Sequence, residues 1–224
     1  MKFISAGRST LSSHQHVALA AYRHRVFVDR LGWSLPGEPG YEQDQFDRED
    51  TVHVLALGEE GEIAGYARLL PTTGAYLLDS VFPHLLDGIT PPRSERVWEL
   101  SRFAAMKPGG SAKRRISRFM SENLLLHVAR YCAAQGVETL LAVATLPVER
   151  LMQRVGVSMC RLGPPSVGAS SPIVAMSIDL NSVTFEALSR FETSNSQPHG
   201  HLRIRCSRET KVCTLGEWVA ASAA

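Results

Sequence analysis

The sequence has little of what marks secreted, membrane-spanning or nucleic-acid-binding proteins. Its 224 residues include only four cysteines, none in a C-x-x-C pair, so we expect a reduced, cytoplasmic protein. The net charge of +2 is too small to indicate a nucleic-acid partner. No apolar run approaches the ~20 residues of a membrane span, and the N-terminus turns polar too early for a signal peptide. The histidines and cysteines near the C-terminus match no zinc spacing, so no metal site is expected.

What the sequence does contain is typical of a globular protein. Hydrophobic residues make up 44% of the chain and charged residues 21%. The length suits one domain with an apolar core. Beyond residue 191 the sequence becomes rich in Ser, Asn, Gln and His. We therefore expect a single domain over residues 1–191 and a poorly ordered tail over residues 192–224, which should be dispensable.

A repeat of apolar residues predicts the first helix, which should end near Leu31. Ser12 or Ser13 can cap its N-terminus, and Gly32 suits the position that follows its C-terminus. The spacing of three to four residues is that of one helix face. The predicted buried stripe consists of Val17, Ala21, His24, Phe27 or Val28, and Leu31.

The rest of the chain alternates between strand and helix patterns. Two β-forming runs, 51–57 and 63–70, flank a glycine turn and predict a hairpin. Residues 75–90 should form one short helix or two turns. Further strands are predicted at 96–106, 137–145 and 173–180, and helices at 111–135, 148–155 and 182–191. Mixed strands and helices predict an α/β fold, a three-layer α/β/α sandwich around a mixed sheet.

An acidic segment after the first helix carries candidate binding residues. Asp44 and Asp47 lie within it, and Phe27 and Trp33 precede it. Aromatic faces attract cations and carboxylates complete the charge match, so this combination suits a cationic, partly apolar ligand. The alternative is a solvated acidic loop that binds nothing.

The strand predicted at 96–106 contains a carboxylate in an otherwise apolar setting. Alternation places Glu99 and Ser101 on one face of this strand and Arg102 on the other. Buried carboxylates are rare unless they are paired. Glu99 is therefore either a functional group or the ion-pair partner of an arginine such as Arg68.

These residues resemble, in order and spacing, the motif of a known family, the acyl-homoserine-lactone synthases of bacterial quorum sensing. The similarity runs from about Tyr22 to Arg161 and rests on the ordered set, since no single residue is diagnostic. It implies the fold of the Gcn5-related N-acetyltransferases. The matching positions are Arg23, Phe27, Trp33, Asp44, Asp47 and Arg68, followed by Glu99-Leu100-Ser101-Arg102.

The resemblance implies an enzyme that joins S-adenosylmethionine to an acyl chain on acyl carrier protein. The product would be an N-acyl-L-homoserine lactone, with release of methylthioadenosine. S-adenosylmethionine is then a substrate, and no cofactor is expected. Glu99 would be the general base, with Ser101 and Arg102 completing the catalytic set. The residues implied for binding S-adenosylmethionine are Arg23, Phe27, Trp33, Asp44, Asp47 and Arg68.

The same resemblance locates the acyl donor. The acyl-pocket position falls at Ala144 or Thr145, a register that the sequence leaves open. Carrier proteins are acidic, and the implied docking residues are Arg150, Arg154 and Arg161. The basic run 113–118 either adds to this surface or forms a solvated helix face.

Two other functions remain open from the sequence. The segment 107–112, Lys-Pro-Gly-Gly-Ser-Ala, loosely resembles the pyrophosphate loop of acetyltransferases, which favours an acyl-CoA-dependent N-acyltransferase of the Gcn5-related type. A catalytically inactive module would bind S-adenosylmethionine without releasing methylthioadenosine. Neither alternative involves a membrane or a nucleic acid.

Overall fold

The structure, a computed structural model, describes residues 1–106, 114–166 and 172–191. Within the chain, two compact units are distinguished, and the single domain expected over residues 1–191 stays a prediction. The first unit comprises Met1–Leu70 and Leu100–Val128, and the second comprises Pro71–Glu99 and the chain from Ala129 onward. The predicted tail, the segment 107–112 and the side chains of the basic run 113–118 lie outside the described residues.

Three antiparallel strands form the sheet of the first unit. Strand β1 (Lys2–Gly7) pairs with β2 (Val52–Leu57), and β2 pairs with β3 (Ile63–Pro71). The predicted hairpin is therefore confirmed. Strand β1 was not predicted, because none of its six residues is buried and its sequence carries no clear alternation of apolar and polar residues. The next strand in the order is β4 (Val97–Ala105), which contributes Leu100–Ala105 to this unit.

The first helix begins as predicted but changes its geometry halfway. In α1 (Ser13–Arg23), Ser12 forms a capping box with Gln15, each side chain accepting a hydrogen bond from the other residue's backbone N–H. A π-helix, His24–Arg30, continues the chain to Leu31. Such wide turns are rare and occur mostly at functional sites.

The predicted stripe of this helix was wrong at both ends, because Val17 and Leu31 are exposed. Apolar residues occur on several sides of the helix, so spacing alone did not select the buried face. The π-helix also shifts the residues after Arg23 away from a 3.6-residue register. The core of this unit consists of Leu11, Leu19, Tyr22, Val26, Phe27, Leu55, Ile63 and Tyr66.

The second unit contains the first residues of β4 and three further strands. Strand β5 (Thr139–Thr145) pairs antiparallel with β7 (Ile173–Asp179), which also pairs with β6 (Met159–Arg161). Strand β6 has only three residues and was not predicted. With β1 to β4, these strands give the seven-stranded sheet of a mixed α/β fold, as predicted.

The helices of the second unit are short apart from one. The segment 75–90 forms two turns, α2 (Leu77–Ser80) and a 3-10 helix (Pro83–Leu86). Helix α4 (Leu146–Val155) ends at Gly156, and α5 (Ser182–Ser189) is capped by Asn181. The long helix α3 (Arg114–Ala134) contributes to both units. Within the described ranges, no helix combines the length and apolarity that a membrane span requires.

One cysteine differs from expectation. Cys132 on α3 is buried and free, as expected of a reduced protein, but Cys160 on β6 is disulfide-bonded. Burial raises the pKa of the Cys132 thiol to about 12, so this thiol is unreactive near neutral pH.

Candidate active site

Three arginines and three carboxylates form a buried network in the first unit. Arg23, on the last turn of α1, donates from Nε and Nη2 to the carboxylate of Glu42 and from Nη1 to Asp47 Oδ1 at 2.7 Å. Both Arg23 and Glu42 are only 2% exposed. The fork of the guanidinium therefore holds the segment after the helix against the helix itself.

The other two arginines come from strands β3 and β4. Arg68 donates from Nη1 to Asp44 Oδ1 and to Asp47 Oδ1, the latter at 3.1 Å, and from Nε to Ser101 Oγ at 3.0 Å. Arg102 donates from Nη2 to Glu42 Oε1 at 3.0 Å and to Asp44 Oδ2 at 2.9 Å. Every carboxylate in the network thus contacts two arginines or more.

The network balances its own charge. Burial alone would raise the pKa of Asp47, but the guanidinium groups of Arg23 and Arg68 outweigh it and hold that pKa well below its usual range. Burial would also raise the pKa of Glu42, but Arg23 and Arg102 outweigh this effect and lower it. Because these acids stay ionised at neutral pH, they act as a charged scaffold and not as proton carriers.

Two aromatic rings adjoin this network. The Phe27 and Trp33 ring centroids lie 4.9 Å apart, and the guanidinium carbon of Arg102 lies 5.5 Å from the first and 5.4 Å from the second. Trp33 is 39% exposed. The cation that these rings hold in this structure is therefore an arginine of the protein.

Arg102 has a left-handed backbone with φ of 51° in the middle of β4. Few non-glycine residues adopt this conformation, and it is concentrated at functional sites. The predicted alternation, which separated Ser101 from Arg102, fails here. Both side chains reach the same network, Ser101 through Arg68 and Arg102 directly through Asp44.

Glu99 occupies the part of β4 that belongs to the second unit. Its Oε2 accepts the backbone N–H of Leu77 and its Oε1 that of Leu78, both at 2.8 Å. The residue is only 1% exposed. Its carboxylate therefore joins β4 to the first turn of α2.

Helix α4 carries two of the three predicted docking arginines on its exposed surface. Arg150 and Arg154 are exposed. Arg161, on β6, differs from them because Nε and Nη2 donate to the buried carboxylate of Glu149 at 2.8 and 2.7 Å. The predicted docking set therefore divides into two exposed cations and one arginine engaged in an ion pair.

Comparison with known proteins identifies the family. The sequence profile of the autoinducer synthases matches residues 8–188. The chain belongs to the autoinducer synthase family. Among curated relatives, the acyl-homoserine-lactone synthase of Ralstonia solanacearum is 43% identical over 190 residues, which covers 84% of this chain and 93% of the relative. This synthase is therefore an acyltransferase enzyme.

Solved structures agree with this assignment. TofI, crystallised with an inhibitor and MTA, has a TM-score of 0.75 at 41% identity and covers 84% of this chain and 97% of its own. BjaI, a CoA-dependent acyl-homoserine lactone synthase solved with SAM and isopentyl-CoA, has a TM-score of 0.74 at 28% identity over 85% and 88%. A candidate N-acetyltransferase from Lactobacillus plantarum, at 16% identity and a TM-score of 0.54 over 80% and 98%, shows the predicted acetyltransferase-like fold alone.

The synthase structure brings together most of the residues that the sequence singled out. The first unit gathers Ser101 and Arg102 with all six residues predicted to bind S-adenosylmethionine. Glu99, Ala144 and Thr145 belong to the second unit, where Ala144 and Thr145 end β5 and are half-buried. Thr145 is also the N-cap of α4, without a capping side-chain hydrogen bond. Among the described residues, no cluster of His, Cys, Asp and Glu could hold a metal ion.

Sequence reasoning missed three members of this site. Glu42 completes the charge balance, because three buried arginines need a third carboxylate. Tyr66 lies under Arg23, whose guanidinium carbon is 5.7 Å from the ring, and its hydroxyl lies 2.8 Å from Nδ1 of His53. Burial raises the pKa of Tyr66 to about 12 and lowers that of His53 to about 4, so both are neutral near pH 7. Only the count of charges in the sequence could have indicated Glu42.

Proposed function

We propose that this synthase makes an N-acyl-L-homoserine lactone from S-adenosylmethionine and an acyl chain on acyl carrier protein. The observation that carries the proposal is the network of Arg23, Arg68 and Arg102 beside the Phe27–Trp33 pair, in a chain that the family profile matches over residues 8–188. The solved relatives with MTA and with SAM support the same substrate.

The proposed reaction has two steps. The ammonium group of S-adenosylmethionine loses one proton, and the free amine attacks the thioester carbon. A C–N bond forms, the C–S bond to the carrier breaks, and a second N–H proton neutralises the departing thiolate. The substrate carboxylate then attacks the carbon beside the sulfonium, which closes the lactone and expels neutral methylthioadenosine. This chemistry needs no cofactor.

The first unit has the groups that S-adenosylmethionine requires. Buried Nη2 of Arg68 and Nε of Arg102 have no hydrogen-bond partner within the described part of the chain, so each is available for the substrate carboxylate. Asp44, with its side chain 12% exposed, is the most exposed acid of the network. The sulfonium would compete with the Arg102 guanidinium for the faces of Phe27 and Trp33.

Carrier protein is the donor that we favour, because Arg150 and Arg154 present two exposed cations on one helix. The second candidate donor for the same lactone synthesis is an acyl-CoA, which is favoured by the solved CoA-dependent acyl-homoserine lactone synthase that contains isopentyl-CoA. The alternative function is that of an acyl-CoA-dependent N-acyltransferase of the Gcn5-related type. The reactants of either reaction are water-soluble, and we propose that it takes place in the cytoplasm.

The test is a direct product analysis. Purified enzyme is incubated with S-adenosylmethionine and either acyl carrier protein or CoA thioesters of several chain lengths, and ethyl-acetate extracts are analysed by mass spectrometry. We expect an N-acyl-homoserine lactone ion together with methylthioadenosine, formed faster from carrier-bound donors. Asp44→Asn is the matched negative control. Acyl transfer without methylthioadenosine would contradict the synthase function and support the N-acyltransferase. Binding of S-adenosylmethionine without either product would indicate an inactive module.

A further inference from the structure

We propose that Glu99 is a positioning residue for the acyl end of the reaction and not its general base. Glu99 fixes the first turn of α2, and α2 in turn supports β5, the strand that ends at Ala144 and Thr145. This inference rests on the proposed function and refines the role that the family resemblance implied for Glu99.

The geometry around Glu99 is that of a structural clamp. Consecutive backbone N–H groups, those of Leu77 and Leu78, each donate to a different oxygen of its carboxylate at 2.8 Å. Helix α2 lacks the usual local cap, since the N-cap residue Tyr76 makes no capping hydrogen bond and its hydroxyl donates to Pro92 O at 2.7 Å. Glu99 thus supplies from β4 the acceptors that the start of α2 would otherwise lack.

This arrangement disfavours proton uptake by Glu99. Hydrogen bonds from N–H donors to a carboxylate stabilise its charged form. If Glu99 took the amine proton, one oxygen would become an O–H donor beside N–H groups that require acceptors. A hydroxyl oxygen is a weaker acceptor than a carboxylate oxygen, so the proton transfer would weaken a hydrogen bond in a site that is 1% exposed, where water does not easily compensate for it.

The same clamp gives Glu99 an indirect effect on the acyl chain. Helix α2 packs against β5, and its buried residue is Leu78, whose N–H is one of the two that Glu99 holds. A change in the position of this turn therefore moves an apolar side chain in the layer next to β5. Because Ala144 and Thr145 are the proposed acyl-pocket residues, the change should alter how the acyl donor binds.

The first experiment measures the full kinetics of Glu99→Gln. The amide has one acceptor oxygen, so one of the two N–H bonds is lost while the shape is kept. We expect the KM for the acyl donor to rise about tenfold, the size associated with one hydrogen bond to a charged group, and chain-length selectivity to weaken. The KM for S-adenosylmethionine should stay within about twofold, and the pH–rate profile should keep its wild-type shape.

The second experiment leaves Glu99 in place. Leu77→Pro removes one N–H donor at the first helical position, where proline is tolerated, and Leu77→Ala removes the same side chain but keeps the N–H. We expect Leu77→Pro to raise the KM for the acyl donor about tenfold over Leu77→Ala. This comparison remains informative even if Glu99→Gln does not fold.

If Glu99 is the general base, the expected results are the opposite. Glu99→Gln would lower kcat by about 10² to 10⁴, the rate would recover as the pH rises and the amine deprotonates, and Leu77→Pro would behave like Leu77→Ala. That outcome would overturn the positioning role and leave the proposed synthase function intact. If the wild-type enzyme forms no lactone from any donor, the proposed function itself fails, and the two failures are thereby distinguished.

Discussion

His53 illustrates how single residues beside the arginine network respond to pH. It lies opposite Arg68 in the β2–β3 register and lines a small pocket together with Arg23 and Asp47. Burial lowers its pKa from 6.5 to about 4. Between these two values the unfolded chain binds a proton that the folded protein does not. Stability contributed by neutral His53 is therefore present above pH 6.5 and lost as the pH falls toward 4.

We expect His53→Gln to remove most of this pH dependence. The contribution of His53 to the wild-type free energy of unfolding should decrease by about 2 kcal/mol between pH 7 and pH 4.5, and the variant should lose much less over that range. The lowered pKa values of Glu42 and Asp47 act mainly below about pH 4, so they leave this window largely to His53. Urea titrations at pH 7, 5.5 and 4.5 measure the effect.

The exposed residue His84 provides the control, and its replacement with Gln should keep the wild-type slope. If His53→Gln shows the same decrease as the wild type, the pH dependence arises elsewhere in the protein.

Gly163 is a second residue with a sharp requirement. A Cβ atom at this position would lie 2.2 Å from the backbone oxygen of Leu85, in the 3-10 helix of the same unit. We expect Gly163→Ala to destabilise the fold by about 1–3 kcal/mol, because the backbone must move apart. Gly7→Ala is the matched control, since nothing lies within 4 Å of its added Cβ. Similar denaturation midpoints for both variants would show that the backbone near Leu85 yields easily.

At the scale of elements, α4 carries exposed cations and a buried carboxylate, whose roles can be tested separately. Arg150 and Arg154 are exposed, whereas Glu149 on the same helix is buried and held by Arg161. We expect Arg150→Glu combined with Arg154→Glu to raise the KM for carrier-bound acyl donor severalfold, to leave the KM for S-adenosylmethionine unchanged, and to preserve the Tm. Added salt should remove most of the difference, since exposed charges are screened over roughly 8 Å at physiological ionic strength.

Arg161→Glu should behave differently, because it leaves the buried carboxylate of Glu149 without its partner and places a second carboxylate beside it. We expect a clear loss of Tm. Equal effects of the double variant on both substrates would indicate that α4 does not dock the carrier.

The elements that could be predicted are those whose own residues carry a clear sequence pattern. The hairpin β2–β3, the cap at Ser12 and the helix α4 with Pro147 in its first turn have clear turn and capping residues, and all three were predicted. Strand β6 has only three residues, and neither β1 nor β6 contains a fully buried residue, so their sequences carry no strong strand pattern and the strands are defined by pairing with a neighbour. The π-helix His24–Arg30 has no known local pattern and was read as ordinary helix.

The site was partly predictable for a related reason. The order and spacing of the charged residues in the sequence indicated Arg23, Asp44, Asp47 and Arg68 as site residues. The sequence could not show which arginine pairs with which carboxylate, because the pairing depends on the left-handed conformation of Arg102 and on long-range contacts. Sequence also gave no indication that both oxygens of Glu99 would be engaged by the backbone of residues 77 and 78.

At the scale of the whole molecule, the C-terminal 33 residues (192–224) lie beyond the family match, which ends at residue 188. The Ralstonia solanacearum relative aligns over 93% of its own length while covering 84% of this chain. We expect a chain that ends at Glu192 to retain turnover within about twofold and a similar Tm when both proteins are assayed with reductant. Insolubility or loss of activity would show that the domain requires these residues.

The self-neutral arginine network also constrains how this sequence can change over time. Its six side chains come from four separate stretches of chain, at Arg23, residues 42–47, Arg68 and Arg102, so a substitution at one position leaves an unpaired charge whose cost depends on the residues at the others. In a library of single substitutions, almost every variant at Arg23, Glu42, Asp47 and Arg102 should therefore lose activity. Libraries that vary an arginine together with its carboxylates could reach functional combinations that no series of tolerated single steps connects.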